Sequence, residues 1–170
     1  MASTITASTL KVTIQEDIKL NGVQQGGVNT FNIGSINEIY KRIVTCPAST
    51  DTVIATFKST TSVTGSSGTT ARATSLDMED AKYIRVTNLD DSNSVNLSLQ
   101  VDAGENDGGA DESATLLLEA GKSFMMGSPN DGIKVDDDAA AVITNLNDLE
   151  SIIIDPSDNA VDVEIFIASV

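Results

Sequence analysis

"YIRVTNLDDSNSVNLSLQV", residues 83–101, is the segment on which the fold turns. Side chains of an extended strand alternate between two faces, so Ile84 and Val86 fall on one side and Tyr83, Arg85 and Thr87 on the other. Asp, Asn and Ser at 90–94 favour a turn, because their short polar side chains bond to nearby backbone groups. Beyond it Val95, Leu97, Leu99 and Val101 share one face, opposite Asn96, Ser98 and Gln100. The pattern predicts a β-hairpin whose strands each have a dry face and a wet face.

Toward the C-terminus the same signals recur. "DAGENDGGADES" (102–113) reads as an acidic loop, and "TLLLEAGKSFMMG" (115–127) as two short apolar runs around a Gly-containing turn at 119–122. "SPNDG" (128–132) is a turn by composition, and "KVDDDAAAVITNL" (134–146) mixes loop and strand character. "ESIIIDP" (150–156) is a continuous apolar run, as expected of a strand covered on both faces, and "VDVEIFIAS" (161–169) alternates cleanly.

Toward the N-terminus Leu10, Val12 and Ile14 alternate, then Ile18 and Leu20; "NGVQQGG" (21–27) supplies turn residues and "VNTFNI" (28–33) resumes extended character. In "SINEIYKRIVTCP" (35–47) a helix competes, since Ser35 and Glu38 match a capping box and Ile36, Ile39, Tyr40 and Ile43 have helical spacing. The β-branched Ile39, Ile43, Val44 and Thr45, with Pro47 behind them, favour a strand instead. The expectation is a strand over residues 40–45 with room for one helical turn before it, partnered by "TVIATFK" (52–58) across "PASTD" (47–51). Residues 59–71, rich in Ser, Thr and Gly, are expected to form a mobile loop or loose edge.

About eight or nine short strands joined by turn chemistry predict an all-β chain, as a sandwich, jelly roll or closed barrel. The 170 residues suit a single antiparallel β-sandwich or jelly-roll-like domain over 10–170, preceded by a flexible N-terminal arm at 1–9. With aromatics at 4% and no Trp, the core must be Ile, Val, Leu and Ala.

Charge and composition exclude several functions. A net charge of −15 argues against nucleic acid and anionic membrane as partners, because phosphate binding relies on Lys and Arg. With no His, the Ser-His-Asp and Cys-His catalytic sets are absent, and with a lone Cys46 neither an internal disulfide nor a multi-thiolate metal site can form. Cys46 reads as a small buried hydrophobe. Residues 1–10 lack the charged and apolar regions of a secretory signal, and no run is long enough for a membrane-spanning helix, so a soluble protein made in a cytoplasm is expected.

Chemistry-bearing motifs fail on inspection. "GSPNDGIK" (127–134) has phosphate-loop glycines at Gly127 and Gly132, but Ile133 stands where Lys must be. "SDN" (157–159) is explained as a turn. Asp102, Glu105, Asp107 and Asp111, with Glu112 beside them and acids again at 136–138, could supply oxygen ligands to Ca²⁺, yet an EF-hand frame centred on Gly108 begins and ends on Ala. Solvated acidic loops are the simpler reading, and no cofactor and no enzyme activity are expected. Phe166 is the irregular residue: it shares a face with Asp162 and Glu164, opposite Val161, Val163, Ile165 and Ile167. It either anchors a partner or packs under another segment.

In this order "KRIVTCPAS" (41–49), "KYIRVTNLDDSNSVNLSLQV" (82–101), "LEAGKSFMMG" (118–127) and "VEIFIAS" (163–169) resemble small structural proteins of tailed bacteriophages, particularly marine ones. The likeness spans the organisation of residues 36–168 and marks strands and turns rather than a site. It implies a non-enzymatic β-sandwich virion component, with a capsid decoration protein first and a fibre, tail or collar component second. It further implies capsid or other virion proteins as partners, a homo-oligomer (trimers being common among similar proteins), and residence in the virion after synthesis in the host cytoplasm. Tyr83, Arg85 and Phe166 become the candidate contact residues. A carbohydrate-binding receptor module is the competing class, disfavoured by the scarcity of aromatic platforms.

Overall fold

The computed structural model describes residues 6–58, 62–64, 70–72, 76–77, 80–101, 112–127, 133–135 and 147–170. These form β1 (Ser8–Gln15), β2 (Lys19–Leu20), β3 (Val23–Gln24), β4 (Val28–Ile36), β5 (Glu38–Cys46), β6 (Thr52–Lys58), β7 (Ser62–Thr64) and β8 (Thr70–Arg72). They continue with β9 (Leu76–Asp77), β10 (Ala81–Asn88), β11 (Val95–Val101), β12 (Glu112–Leu118), β13 (Ser123–Gly127), β14 (Lys134–Val135), β15 (Asn147–Asp155) and β16 (Val161–Ser169). The all-β expectation holds. Several strands beyond the eight or nine expected are pieces of two or three residues, too short for alternation to reveal.

Two sheets face each other. The first runs β5-β16-β10-β13; the second runs β12-β11-β15-β6-β9, with β14 also on β15. Pairing is antiparallel except for the two-residue β6–β9 contact. Counted one to eight along the chain, β5, β6, β10, β11, β12, β13, β15 and β16 lie 1-8-3-6 in the first sheet and 2-7-4-5 in the second. That is the jelly-roll order, in which successive strands cross between sheets except at β11–β12.

This order corrects the reading of residues 83–101. The alternation is as expected in β11, whereas in β10 Tyr83 of the expected wet face is buried. β10 pairs with β13 and β16 whereas β11 pairs with β12 and β15, so the two strands are not a hairpin. Residues 89–94 form a corner between the sheets, which lie about 10 Å apart in such sandwiches. Asn88 and Asp90 build it. Fully buried Asn88 donates its side-chain amide to the carbonyls of Asn93 (2.8 Å) and Leu118 (3.2 Å) and accepts from the Asp90 N–H (3.0 Å). The Asp90 carboxylate accepts from the backbone N–H groups of Ser92 (2.9 Å) and Asn93 (2.7 Å), which lowers its pKa.

The expected pairing of residues 40–45 with 52–58 is corrected in the same way: β5 pairs with β16, while β6 joins β15 in the opposite sheet. No helical turn precedes β5. Ser35 takes φ 62°, Ile36 is buried, and Asn37 N–H donates to the Ser169 carbonyl (3.0 Å), so tertiary pairing takes up the residues that matched a capping box.

The core between the sheets is aliphatic. Ile84, Val86, Val163, Ile165 and Ile167 of the first sheet meet Ile54, Leu97, Leu99, Ile152 and Ile154 of the second, with Phe57 the one fully buried Phe. Burying each such side chain contributes roughly 1.5–3 kcal/mol. Cys46 lies in this core, and desolvation raises its pKa. Of the expected loops, 102–111 and 128–132 fall outside the described residues; of 59–71, the described parts contribute to the β7–β8 ribbon.

Candidate interaction surface

The three contact candidates lie together on the outer face of the first sheet. Register places Ile39, Ala168, Tyr83 and Gly127 in one row across it, Lys41, Phe166, Arg85 and Met125 in the next, and Ile43, Glu164, Thr87 and Ser123 in the third. Tyr83 and Phe166 meet edge to face, centroids 6.0 Å apart at 69°. The Arg85 guanidinium carbon stands 5.9 Å from the Phe166 centroid and its terminal nitrogen pairs with Glu164, which also holds Lys41 at 3.2 Å. Burial raises the Tyr83 pKa, with Arg85 opposing, so its hydroxyl stays protonated at neutral pH.

Part of this face is covered from within the chain. β1 and β4 form a long antiparallel hairpin, Leu10 opposite Ile33 and Val12 opposite Phe31, and its base sets Leu10, Val12, Phe31, Ile33 and Ile36 onto Tyr83, Phe166, Ala168 and Val170. Packing under a second segment therefore accounts for Phe166. Gly127 permits the close fit, since a Cβ there would stand 3.3 Å from the Tyr83 ring and 3.8 Å from Phe31.

The outer half of the hairpin stands clear. Every residue from Gln15 to Thr30 is exposed except half-buried Gly26. The ribbon continues through Glu16 N–H to Gly27 (2.9 Å) and Gln25 N–H to Ile18 (2.9 Å), then β2 pairs with β3 around Asn21 and Gly22 at φ 50° and 81°. Positive φ at both central residues matches the twist of a two-residue hairpin turn, so the turn read from "NGVQQGG" is present. Gly26 is demanded by crowding: a Cβ there would lie 2.0 Å from the Glu16 carbonyl oxygen.

This arm carries apolar residues that nothing in the described chain covers. Ile18, Leu20, Val23 and Val28 are 55–67% exposed, as are Ile39 (59%) and Ile43 (64%) on β5. Sequence reasoning marked Ile18, Leu20, Val28 and Ile43 as strand positions, put Val23 in a turn and Ile39 ahead of the strand at 40–45, and marked none of them as surface. The available signal was a set of aliphatic residues, Ile18, Leu20 and Val23, inside a turn-rich, polar segment.

Protein-family models, curated proteins and solved structures give no match to this chain.

Other features have structural uses. Thr45, Leu89, Asp90, Ala160 and Asp162 line an open cleft of about 340 Å³, but Asp90 is engaged by the corner and Asp162 accepts from Thr45 (2.6 Å). Asp102, Glu105, Asp107 and Asp111 lie outside the described residues. Among the described residues no three His, Cys, Asp or Glu side chains gather to hold a metal.

Proposed function

We propose that the protein is a non-enzymatic structural component of a bacteriophage virion, a capsid decoration or head-surface protein, that attaches through the outside of its sandwich. The observation carrying this reading is the projecting β1–β4 hairpin, which presents Ile18, Leu20, Val23 and Val28 to solvent while the aliphatic residues between the two sheets are buried. Contiguous exposed apolar surface marks a contact site more often than a solvated one. The likeness of residues 36–168 to phage structural proteins supports the same class, and jelly rolls recur in viral shells, although a fold alone does not carry a function.

Protein analysis and imaging of purified particles from a producing host test the proposal. The expected result is this chain at fixed copy number on the head surface. Density on a fibre, tail or collar would move it to that role, and absence from washed, intact particles would remove the virion reading.

A further inference from the structure

Asn21-Gly22, at the tip of the hairpin arm, is the one Asn-Gly pair in the chain. The backbone nitrogen that follows an Asn can attack that residue's own side-chain carbonyl carbon, and a Cβ on the attacking residue ordinarily hinders the approach. Gly22 removes that obstacle. Even a Cβ built there would meet nothing within 4 Å, so the space around the attacking nitrogen is open as well.

The arm leaves both reacting groups unheld. Asn21 and Gly22 are exposed, and neither the Asn21 side-chain amide nor the Gly22 N–H takes part in a hydrogen bond among the described residues. Asparagines of the body differ: Asn88 is buried and bonded to Asn93 and Leu118, the Asn93 amide donates to Asp90, and the Asn96 amide donates to Asp155. Ring closure needs Asn21 to leave the left-handed backbone conformation of the turn, at φ 50°, so the tip has to open first. Opening there costs little, because β2 and β3 pair over two residues each on a ribbon with no second layer.

We infer that Asn21 is a site of spontaneous covalent modification, deamidation through a succinimide. The Gly22 nitrogen forms a bond to Asn21 Cγ, and the side-chain nitrogen leaves as ammonia, taking the proton that the Gly22 nitrogen gives up. Water then adds to either carbonyl of the five-membered ring and breaks its bond to nitrogen, which yields Asp by one opening and isoaspartate by the other. Water is the sole co-reactant. Either product places a new negative charge beside Leu20 and Val23, which pair across the turn, and isoaspartate also lengthens the main chain by one carbon inside a two-residue turn. The exposed aliphatic tip of the arm therefore gains charge and loses its register as the chain ages. This inference stands apart from the virion reading, because it concerns the purified chain alone.

Peptide mapping by mass spectrometry is the test, on the full chain held in mildly alkaline buffer and sampled over time. The expected result is a gain of one mass unit at Asn21 ahead of every other Asn, with isoaspartate at that position and a new acidic band on isoelectric focusing. Asn21→Gln should abolish the band. Gly22→Ala should suppress it even though Ala strains the turn at φ 81°, and Gly26→Ala, which loosens the arm through its clash with the Glu16 carbonyl, should speed it at least about fivefold. An Asn21 that outlasts the other asparagines overturns the inference. So does an acidic band that survives in Asn21→Gln, a Gly22→Ala chain that converts as fast as the wild type, or a Gly26→Ala chain that converts no faster.

Discussion

The sandwich interior and the hairpin arm use the same residue types to opposite ends. Leu97, Ile152, Ile154, Ile165 and Ile167 are wholly inaccessible between the sheets, whereas Ile18, Leu20, Val23 and Val28 stand in solvent on a two-stranded ribbon. An isolated ribbon has little stability in water, since it has no second layer on which to bury an apolar face. The difference shows that hydrophobicity along this chain serves two tasks. Ile, Val and Leu of the body hold the fold, and those of the arm lie outside the monomer's folding energy.

The sharpest way to break that contrast is truncation on both sides of it. Ile165→Ala or Leu97→Ala should destabilise by about 2–5 kcal/mol, from lost burial plus a cavity, while Ile18→Ala and Leu20→Ala should stay within about 0.5 kcal/mol in denaturant melts made at dilution low enough to keep the chain monomeric. Comparable losses at both places would mean that the arm packs on the body. Next in size is Asn88→Leu. It removes the amide that serves the carbonyls of half-buried Asn93 and buried Leu118, a loss of about 1–3 kcal/mol in the same assay.

Gly26→Ala should act on the arm alone. The methyl group would collide with the Glu16 carbonyl, so amide exchange across residues 16–27 should accelerate while the global melting temperature is unmoved. A large drop in melting temperature would tie the arm to the cooperative core. The smallest effect belongs to Asp90. Backbone donation from Ser92 and Asn93 holds its pKa below the ordinary 3.8, so the folded state binds this proton more weakly than the unfolded chain. Its stabilisation is complete above about pH 4 and is lost as pH falls through the lowered value. Asp90→Asn should therefore flatten the acid side of the stability profile, and an unchanged acid transition would show that the corner is held otherwise.

Much of the fold was legible along the chain, and the reason is local. Period-two alternation in 95–101 and 161–167 reports which face of a strand is dry, whatever lies beside it. Turn chemistry at Asn21-Gly22 and at Ser157 likewise needs only neighbouring residues, and both turns are present, with Ser157 at φ 55°. Pairing is another matter. A six-residue link such as 89–94 is long enough either to fold back within a sheet or to cross to the facing one, and the alternation of β10 and β11 is identical in the two cases.

Phe166 shows the same division at a single residue. Its place on a polar face was readable, but what covers it comes from residues 10–36, more than a hundred positions earlier. Ser35 and Glu38 erred for the opposite reason: their helical signal was real but weak, and the hydrogen bond from Asn37 to Ser169 with the burial of Ile33 and Ile36 outweighed it.

By itself the sequence determined that this is an all-β protein with an aliphatic interior, where turns such as those at Asn21-Gly22 and Ser157 lie and which side of β11 and β16 faces inward, because those properties depend on a residue and its near neighbours. Only the tertiary structure decided that the strands cross between sheets in jelly-roll order, that the hairpin base seals Tyr83 and Phe166, and that the arm beyond it is left bare. Those outcomes depend on which distant segments compete for the same face, and the alternation of side chains is the same whichever segment prevails.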